Sequence, residues 1–407
     1  MRILFIPLFL FFSLHTTAQN LPSLVSGKNI NTTFSIVAFD SVAKEWGVAV
    51  ATNNIYVGNS TIYIQPGLGA FSVIAETEPK YAIEGFEQLK QGKTIQQAIE
   101  YTMQEDAERY LRQVSGIDRN GFTFAFTGAA WKYQPGFAGT LKGKNCVAMG
   151  NQLGDKVLQA IVSAFEQTNG TLGQRLLAAL TAGQRAGGQI QGKQSAALMV
   201  KGANNEWYNN IDLRVDNSTD PFEELTRLLN FHYGRIMLNQ AINAINMGNV
   251  ALGKSRLAEA ERMVKGWNGI QSKVALAYLL LKEPSKAVDV IRAALAANPK
   301  WKENLPAFYL LKDEPRMKSL IDEKHFTEKD WISAVSLMGQ LNRGPETISL
   351  CNRGLQDFPR SSYLHYLLGK SLLAAGKRDE ARKEVEHAVD LDASNEEAVI
   401  MLQGVFK

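Results

Sequence analysis

In the second half of the chain, small and apolar residues recur every 34 positions, and this period limits the fold more than any other feature of the sequence. Two segments carry the pattern clearly, KVALAYLLLKEPSKAVDVIRAALAANP at 273–299 and SSYLHYLLGKSLLAAGKRDEARKEVEHAVDLDA at 361–393. Shifting each segment back by 34 positions gives a looser copy, at 239–265 and at 327–359. Because a fixed period of about 20 to 50 residues is typical of stacked supersecondary units, the sequence predicts four pairs of helices.

These copies resemble tetratricopeptide repeats. Small residues such as Ala275 and Gly369 fall where paired helices approach closely, and in the looser copy at 327–359 the repeated positions include Glu346 and Leu350. Residues 301–327 do not fit the period and are expected to form a spacer. A plain helical bundle is the alternative, but the 34-residue period favours repeats.

The first half has a different pattern, which ends at DNSTDP, residues 216–221. From Thr33 to about Val215, strand-like runs lie at both ends, helical runs lie in the middle, and glycine turns separate them. This order predicts a layered α+β domain rather than repeated βαβ units. Pro221 suits the first turn of a helix, and no strand is predicted beyond it. We therefore expect an α+β domain at 33–221 and an all-α domain at 222–407.

The first 18 residues have the pattern of a signal peptide. Arg2 precedes an apolar run at 3–14, and small residues at 16–18 give a cleavage site before Gln19. The apolar run is shorter than a membrane span, so no membrane-spanning helix is predicted. The polar, turn-rich segment 19–32 is expected to be a leader arm. The sequence thus predicts an exported protein, either periplasmic or secreted.

Composition argues against several classes of function. With 45% hydrophobic residues, 21% charged residues and a net charge of +4, the chain is typical of a globular protein and has no dense basic run that would indicate a nucleic-acid partner. Cys146 and Cys351 fall in different predicted domains, and buried free thiols are favoured over a disulfide bond. The sequence contains neither HExxH nor CxxC, so no metal or other cofactor is predicted.

Several stretches of the first half match one family in their order and spacing. They are TFSIVAFD at 33–40, GVAVAT at 47–52, TGAAW at 127–131, AMGNQL at 148–153, RLLAALTAGQRAGG at 175–188, QSAALMV at 194–200 and DLRVDN at 212–217. Together they resemble the uncharacterised family called domain of unknown function 1028. The resemblance implies a four-layer α-β-β-α sandwich, similar in fold to the N-terminal-nucleophile hydrolases.

The chain departs from the pattern of that family at three places. The TFSIVA segment usually opens a member just after Met, whereas 32 residues precede it here. Gln189 stands where the family often has Asp in AGGD, and Gln191 stands where a basic residue often follows. Glu76-Thr77 and EPKYAIEG replace TQ and NPxYG. These departures alter polar groups of the expected cleft, so any function of the family's cleft is expected to be shifted or lost.

The resemblance makes Thr33 the candidate nucleophile. In an N-terminal-nucleophile hydrolase the terminal residue attacks while its own α-amine, with a pKa near about 7.7–8.0, serves as general base. Signal cleavage near Ala18 leaves the leader arm attached, so a further cut between Thr32 and Thr33 is required, by autoproteolysis or by another protease. Without that cut, Thr33 is a β-prone residue that starts a strand. Ser35 lies on the same face of that strand and either supports the site or packs.

The other candidates also have two interpretations each. Asn151 follows a glycine at a strand end and is either a donor to an oxyanion or a turn residue. Asp212 and Arg214 share a strand face, where they either act in the site or form an ion pair. The predicted catalytic residues are Thr33, Asn151 and Asp212, and the predicted binding residues are Ser35, Glu76, Lys193, Ser195 and Arg214.

Two classes of function follow from these patterns. In the first, the protein is an amide-bond hydrolase that acts on a peptide or a cell-envelope fragment with Thr33 as nucleophile. In the second, it is a non-catalytic binding or scaffold protein of the cell envelope. In that case the sandwich cleft holds a small ligand or partner, and the repeats bind a peptide or protein in their concave groove. Repeat helices also mediate self-association, so a homo-oligomer stays open.

Overall fold

The computed structural model describes residues 32–406. The predicted signal peptide at 1–18, and the leader arm up to residue 31, lie outside the described residues. The chain forms two compact units that divide between Leu229 and Asn230. That division falls within the helix Pro221–Asn246, whose first turn holds the predicted boundary. Among residues 32–406, no helix combines the length and the apolar character that a membrane span needs.

Two antiparallel sheets form the frame of the first unit. The strands are β1 (Thr33–Asp40), β2 (Glu45–Thr52), β3 (Ile62–Gln65), β4 (Gly69–Ala75), β5 (Arg112–Asp118), β6 (Thr123–Thr127), β7 (Phe137–Gly143), β8 (Cys146–Leu153), β9 (Ser195–Gly202) and β10 (Ile211–Val215). The larger sheet has the order β10-β9-β2-β1-β8-β7, and the smaller has the order β3-β4-β5-β6. The predicted α+β class of this part of the chain is confirmed.

Helix pairs cover the outer faces of the two sheets. The helices are α1 (Lys80–Lys90), α2 (Ile95–Glu105), α3 (Val157–Gln167) and α4 (Leu172–Arg185). Tyr81 and Ile99 of the first pair pack against Phe71 and Val73 of the smaller sheet. The second pair lies so close to the larger sheet that a Cβ on Gly47 would come within 2.4 Å of Leu176.

The inner faces of the two sheets share an apolar core. Val37, Met149 and Met199 of the larger sheet pack with Ile74 and Ile117 of the smaller sheet. Burying this surface on both sheets is the main favourable term that holds them together. The layers therefore follow the order helix pair, sheet, sheet, helix pair.

The hairpin β1–β2 lies at the centre of the larger sheet. Its turn is short because Asp40 accepts hydrogen bonds from the backbone N–H groups of Val42 (2.9 Å) and Ala43 (3.0 Å). The strand-turn-strand prediction for 33–52 is confirmed. The register pairs the first residue of the hairpin, Thr33, with its last, Thr52.

The described part of the second unit consists of α-helices and 3-10 segments. They are α5 (Pro221–Asn246), which begins in the first unit, α6 (Val250–Met263), α7 (Gln271–Leu280), α8 (Pro284–Ala297), α9 (Glu328–Gln340), α10 (Gly344–Asp357), α11 (Ser362–Ala374), α12 (Arg378–Leu391) and α13 (Glu396–Val405). The 3-10 segments Pro299–Leu311 and Glu323–His325 occupy the predicted spacer. The four predicted pairs are present, and α13 follows them.

Small residues let the paired helices approach, as the repeat pattern predicts. A Cβ on Gly369 of α11 would lie 2.6 Å from Val385 Cγ2 and 2.9 Å from the carbonyl oxygen of Ala381 on α12. A Cβ on Gly253 of α6 would lie 2.4 Å from Ile245 Cγ1 on α5. The region is therefore an array of tetratricopeptide-like helix pairs.

Both cysteines are buried free thiols. Burial raises the pKa of the Cys146 thiol and of the Cys351 thiol to about 12 each. Each thiol is thus protonated at neutral pH and packs as a small apolar side chain.

Candidate functional site

Thr33 begins β1 between two neighbouring strands that hold its polar atoms. Its backbone N–H donates to Asn151 Oδ1 on β8 at 3.2 Å. Its hydroxyl lies 3.0 Å from the hydroxyl of Thr52 on β2. Only 6% of Thr33 is exposed. The nitrogen and the hydroxyl that a terminal threonine would use are therefore both fixed by the larger sheet.

The direction of the hydroxyl contacts follows from the single proton that each hydroxyl carries. Thr52 donates its proton to the carbonyl oxygen of Thr32 at 2.7 Å. Thr52 Oγ1 then accepts from the Thr33 hydroxyl, and the backbone N–H of Asn54 donates to the same oxygen at 3.3 Å. The hydroxyls thus form a chain from Thr33 through Thr52 to the carbonyl of Thr32.

Three donors converge on the carbonyl oxygen of Thr32. Besides Thr52, the backbone N–H of Asn53 donates to it at 3.3 Å, and Gln189 Nε2 donates through a short hydrogen bond. Gln189 is carried there by Gly187 and Gly188, whose φ angles are 121° and 52°. Because such angles suit glycine, the glycine pair after α4 lets the chain turn and place the amide. The Thr32–Thr33 peptide bond therefore has a strongly polarised carbonyl.

Gln113 on β5 sets the orientation of the Asn151 amide. Its Nε2 donates to Thr127 Oγ1 at 2.9 Å and to the carbonyl oxygen of Gly150 at 2.8 Å. Its Oε1 is therefore left to accept from Asn151 Nδ2, at 2.8 Å. With its Nδ2 so engaged, Asn151 presents Oδ1 to the Thr33 nitrogen. This buried network fixes which end of the amide faces the candidate nucleophile.

A pocket of about 240 Å³ lies beside Thr33 and Thr52. Its walls are rich in amide and hydroxyl side chains, and Trp131 is among the lining residues. Glu76, a predicted binding residue, is the one charged side chain among the described residues that line it. Ala75 has a φ of 72° at this wall, a left-handed conformation that costs energy for a residue with a Cβ. Strained backbone of this kind is typical of ligand sites.

Two further predicted residues are buried near the threonine pair. Ser195 on β9 is the register partner of Thr52, and within residues 32–406 its hydroxyl makes no hydrogen bond. Ser35 lies on the same strand face as Thr33, where it accepts a hydrogen bond from Ser72 Oγ of the smaller sheet at 2.9 Å. Neither side chain lines the pocket. Their binding roles stay predictions, and the hydrogen bond of Ser35 links the two sheets.

The remaining predicted residues form ion pairs away from the pocket lining. Arg214 Nε lies 3.0 Å from Asp212 Oδ1 on the edge strand β10, and both side chains are exposed. Lys193 Nζ lies 2.6 Å from Asp220 Oδ2. The hydrogen bond from Lys193 lowers the pKa of Asp220. The structure thus brings together Thr33, Asn151, Ser195 and Glu76. Away from them, Asp212 pairs with Arg214, and Lys193 pairs with Asp220.

Sequence reasoning missed Thr52, Gln113, Gln189 and Trp131. A signal for Thr52 was present, since a hairpin that begins and ends on Thr places the two residues opposite each other. Gln189 is one of the departures from the family pattern. No local signal marks Gln113, because its partner Asn151 is 38 residues away. Among the described residues, no group of three or more His, Cys, Asp or Glu side chains could hold a metal ion.

A groove in the second unit is a separate candidate site. It has a volume of about 1140 Å³ and is lined mainly by α9, α10 and α11. Tyr363, Tyr366 and Leu367 give it an apolar floor. Its charged side chains are Arg343, Lys370, Lys377 and Glu397. Cations therefore outnumber carboxylates in the lining.

Comparison with known proteins assigns the first unit to a family. The profile of the family of unknown function DUF1028 matches residues 33–225. The solved structure of protein SPO2555 from Silicibacter pomeroyi, a member of that family, shares 30% sequence identity over 49% of this chain and 84% of its own, with a TM-score of 0.45. The chain therefore belongs to the DUF1028 family. No curated protein matches it.

The helical region has solved neighbours among tetratricopeptide-repeat (TPR) proteins. YrrB, described as a TPR protein with an unusual peptide-binding site, shares 13% identity over 41% of this chain and 90% of its own, with a TM-score of 0.23. The TPR domain of P58(IPK) shares 15% identity over 42% of this chain and 54% of that chain, with a TM-score of 0.21.

Proposed function

We propose that the first unit is an amide-bond hydrolase whose nucleophile is Thr33, once Thr33 has become the first residue of the chain. The observation that carries the proposal is the joint fixing of the Thr33 nitrogen by Asn151 and of the Thr33 hydroxyl by Thr52, beside a pocket. The order of layers supports it, because N-terminal-nucleophile hydrolases are built as helix pair, sheet, sheet and helix pair.

The chemistry uses the terminal amine as the base. An α-amine with a pKa near about 7.7–8.0 is partly neutral at neutral pH and accepts the hydroxyl proton as Oγ1 attacks the substrate carbonyl. Asn151 Oδ1 accepts one amine hydrogen and so directs the lone pair of the nitrogen. The amine then protonates the leaving nitrogen, and water hydrolyses the ester that remains on Thr33.

The carbonyl of Thr32 marks where a substrate carbonyl would bind. Gln189 Nε2, the Asn53 N–H and the Thr52 hydroxyl surround that position. With the segment before Thr33 removed, these donors would stabilise the oxyanion of a bound amide. The pocket volume of about 240 Å³ lies below the range of about 300–1,000 Å³ that is typical of whole-ligand sites. We therefore expect it to hold one residue of a longer substrate, such as a peptide or a cell-envelope fragment.

The test is to create the free amine by an engineered cut, made in mild denaturant before refolding because Thr32 is buried in the folded chain. The full chain receives a protease site in place of residues 29–32, so that cleavage leaves Thr33 first. We expect the cut chain to hydrolyse amides from an acyl-anilide panel and to be acylated on Thr33 by a β-lactone, as seen by peptide mass mapping. The cut Thr33→Ser variant should retain activity and the cut Thr33→Ala variant should lose it. A cut chain that is neither active nor acylated would overturn the proposal.

A second function is proposed for the groove of the helical repeats, namely binding of an extended acidic peptide. Tyr363 and Leu367 would take apolar side chains, and Lys370 would attract a carboxylate. Arg343 and Lys377 already pair with Glu346 and Glu380, so they would contribute less. This function also serves the alternative in which the protein is a non-catalytic envelope scaffold.

Fluorescence anisotropy with labelled acidic, neutral and basic peptides tests the groove. Lys370→Glu should weaken binding of the acidic peptide about tenfold or more, because it reverses a charge in the groove. Lys383→Glu makes the same change on α12, outside the groove lining, and should leave binding unchanged. Equal loss in both variants, or equal binding of all three peptides, would contradict the proposed acidic specificity.

A further inference from the structure

We propose that the pocket beside Thr33 takes a substrate residue with a cationic side chain, and that Glu76 is the residue that selects it. The inference rests on the proposed function, because it names the class of substrate for the same site. The expected substrate is an amide of a lysine-like or arginine-like residue, whose ammonium or guanidinium group lies against the Glu76 carboxylate.

Glu76 gives the pocket a negative charge. The other described side chains that line the pocket are apolar or carry neutral amide and hydroxyl groups. Arg112 donates to the backbone carbonyl of Glu76 at 3.1 Å, but its guanidinium also binds the carboxylates of Asp106 and Glu108, each at 3.0 Å. Because those two carboxylates compensate the charge of Arg112, the charge of Glu76 is not cancelled. A cationic side chain is therefore the electrostatic complement of this pocket.

The backbone that carries Glu76 is held in one strained conformation. Ala75, the last residue of β4, has the left-handed φ of 72°, which persists only where the surrounding structure enforces it. Arg112 is the register partner of Ala75 on β5, and its bond to the Glu76 carbonyl holds this wall of the pocket. The Arg112 side chain is itself only 8% exposed and is fixed by Asp106. Support of this kind for one binding residue is what a selective site needs.

The rest of the lining suits the other parts of a long cationic side chain. Val57 and Ile74 are buried residues that line the pocket, and they offer apolar surface to the carbon stem. The Thr61 hydroxyl donates its one proton to the carbonyl oxygen of Val57 through a short hydrogen bond, so towards a ligand its oxygen can only accept. Ammonium and guanidinium groups carry donors alone and can bond both to this oxygen and to the Glu76 carboxylate.

Paired substrates test the selection. The full chain, cut before Thr33, is given the anilides of Nα-acetyl-lysine and Nα-acetyl-norleucine, because norleucine lacks the ammonium group. We expect kcat/KM to be about tenfold or more higher for the lysine anilide. Glu76→Gln should remove this preference, and Glu76→Lys should transfer it to the anilide of Nα-acetyl-glutamate, because the charge of the pocket is reversed.

Glu78→Gln is the matched control. It removes the same charge two residues further along the chain, outside the pocket lining, where Glu78 accepts a hydrogen bond from the backbone N–H of Lys80 at 3.1 Å. This variant should keep the preference for the lysine anilide. Equal kcat/KM of the wild-type cut chain for the lysine and norleucine anilides would overturn the selection, and so would an equal loss of preference in Glu76→Gln and Glu78→Gln.

Ligand binding gives a second measurement that needs no hydrolysis. In the cut Thr33→Ala variant, ligand-observed NMR measures the Kd of Nα-acetyl-lysinamide and of Nα-acetyl-norleucinamide. We expect the lysine amide to bind about tenfold or more tightly than the norleucine amide. Adding Glu76→Gln should remove the difference, and adding Glu78→Gln should leave it unchanged. Circular dichroism of each variant checks folding.

Failure of this inference can be told apart from failure of the proposed function. Equal hydrolysis of the lysine and norleucine anilides, with equal binding of the two amides, overturns the cationic selection and leaves the hydrolase in place. A cut chain that hydrolyses no anilide and is not acylated by a β-lactone, but binds the lysine amide in a way that depends on Glu76, overturns the hydrolase and leaves the selection in place. A cut chain with neither property overturns both.

Discussion

The two candidate sites of this protein are built in opposite ways. At Thr33 the polar groups are buried and bonded to one another, and strands far apart in sequence supply them, as in the Thr33–Asn151 contact across 118 residues. In the helical groove, Lys370 lies on α11 and is exposed, and Arg343 and Lys377 lie just before α10 and α12, the neighbouring helices in sequence. A site for proton transfer needs hydrogen-bond donors in fixed positions and little water. A surface that attracts a peptide needs exposed charged side chains instead.

The same contrast governs what stabilises each unit. The stability of the first unit depends on the register of its sheets, so the loss of a buried hydrogen bond destabilises several strands. The second unit depends on local packing between paired helices, as in other solenoids. A substitution in one unit should therefore change the stability of that unit. The protection of the other unit's amides from hydrogen exchange should stay unchanged. Hydrogen-exchange mass spectrometry reports each unit separately.

The largest effect is expected in the helical unit, from Trp331→Ala. Trp331 is fully buried on α9 among Leu350, Cys351 and Leu364. Removing so large a side chain should cost about 3–5 kcal/mol, measured as lost exchange protection of α9 to α12. Trp331→Phe keeps most of the volume and removes an indole N–H without a partner among the described residues, so it should cost far less. Equal losses in both variants would contradict the packing argument.

The helical unit was also the part that the sequence predicted best, because its signals are local. The period placed all four helix pairs. In the looser copy at 327–359, the assignment of Glu346 to a repeated position is wrong. The residue 34 positions before Ala381 is Thr347, which is buried, whereas Glu346 pairs with Arg343 at the surface.

The site of the first unit was predicted only in part. The hairpin and the position of Thr33 follow from a continuous stretch, whereas β7, FAGTLKG, has two glycines and little alternation and was not predicted. The Gln113–Asn151 contact joins residues of opposite sheets, and no sequence spacing encodes it. Asp212 and Arg214 were correctly expected to be able to pair. Family resemblance pointed to Thr33 as the candidate nucleophile, and only the three-dimensional register showed that Thr52 and Asn151 lie opposite it on the neighbouring strands.

The second largest effect is expected from Gln113→Leu in the first unit. The change leaves Asn151 Nδ2, Thr127 Oγ1 and the Gly150 carbonyl without their partner. We expect a loss of about 2–3 kcal/mol, seen as faster exchange in β5 and β8. Gln96→Leu on α2 removes an exposed bond to Glu100 and should cost less than about 0.5 kcal/mol. A Gln113→Leu variant as stable as this control would contradict the buried network.

A smaller effect should appear as a dependence of stability on pH. Burial opposes ionisation of Asp106, but hydrogen bonds from Arg112 and the Glu108 N–H outweigh it, and the pKa of Asp106 is lowered. The carboxylate therefore stabilises the fold above the unfolded pKa of about 3.9 and loses that contribution as pH falls through the lower folded pKa. Urea midpoints of the first unit should fall from about pH 5 to about pH 2.5.

Asp106→Asn removes this titration and should flatten the fall of the first unit's urea midpoint at acid pH. Asp392→Asn is the matched control in the helical unit, where the carboxylate is exposed and bonded to Ser394. It should leave the pH dependence of the first unit unchanged. If the fall at acid pH in the Asp106→Asn variant is as steep as that of the wild type, another group carries the dependence.

The smallest effect on stability is expected from Asp212→Asn. The pair with Arg214 is exposed at both ends, with 48% and 41% of the side chains accessible, so its loss should cost less than about 0.5 kcal/mol. Because Asp212 does not line the pocket, the activity of a chain that starts at Thr33 should also be unchanged. Arg214→Gln should behave in the same way. A fall in activity of about 100-fold in Asp212→Asn at unchanged stability would instead establish the catalytic role that its sequence position predicts.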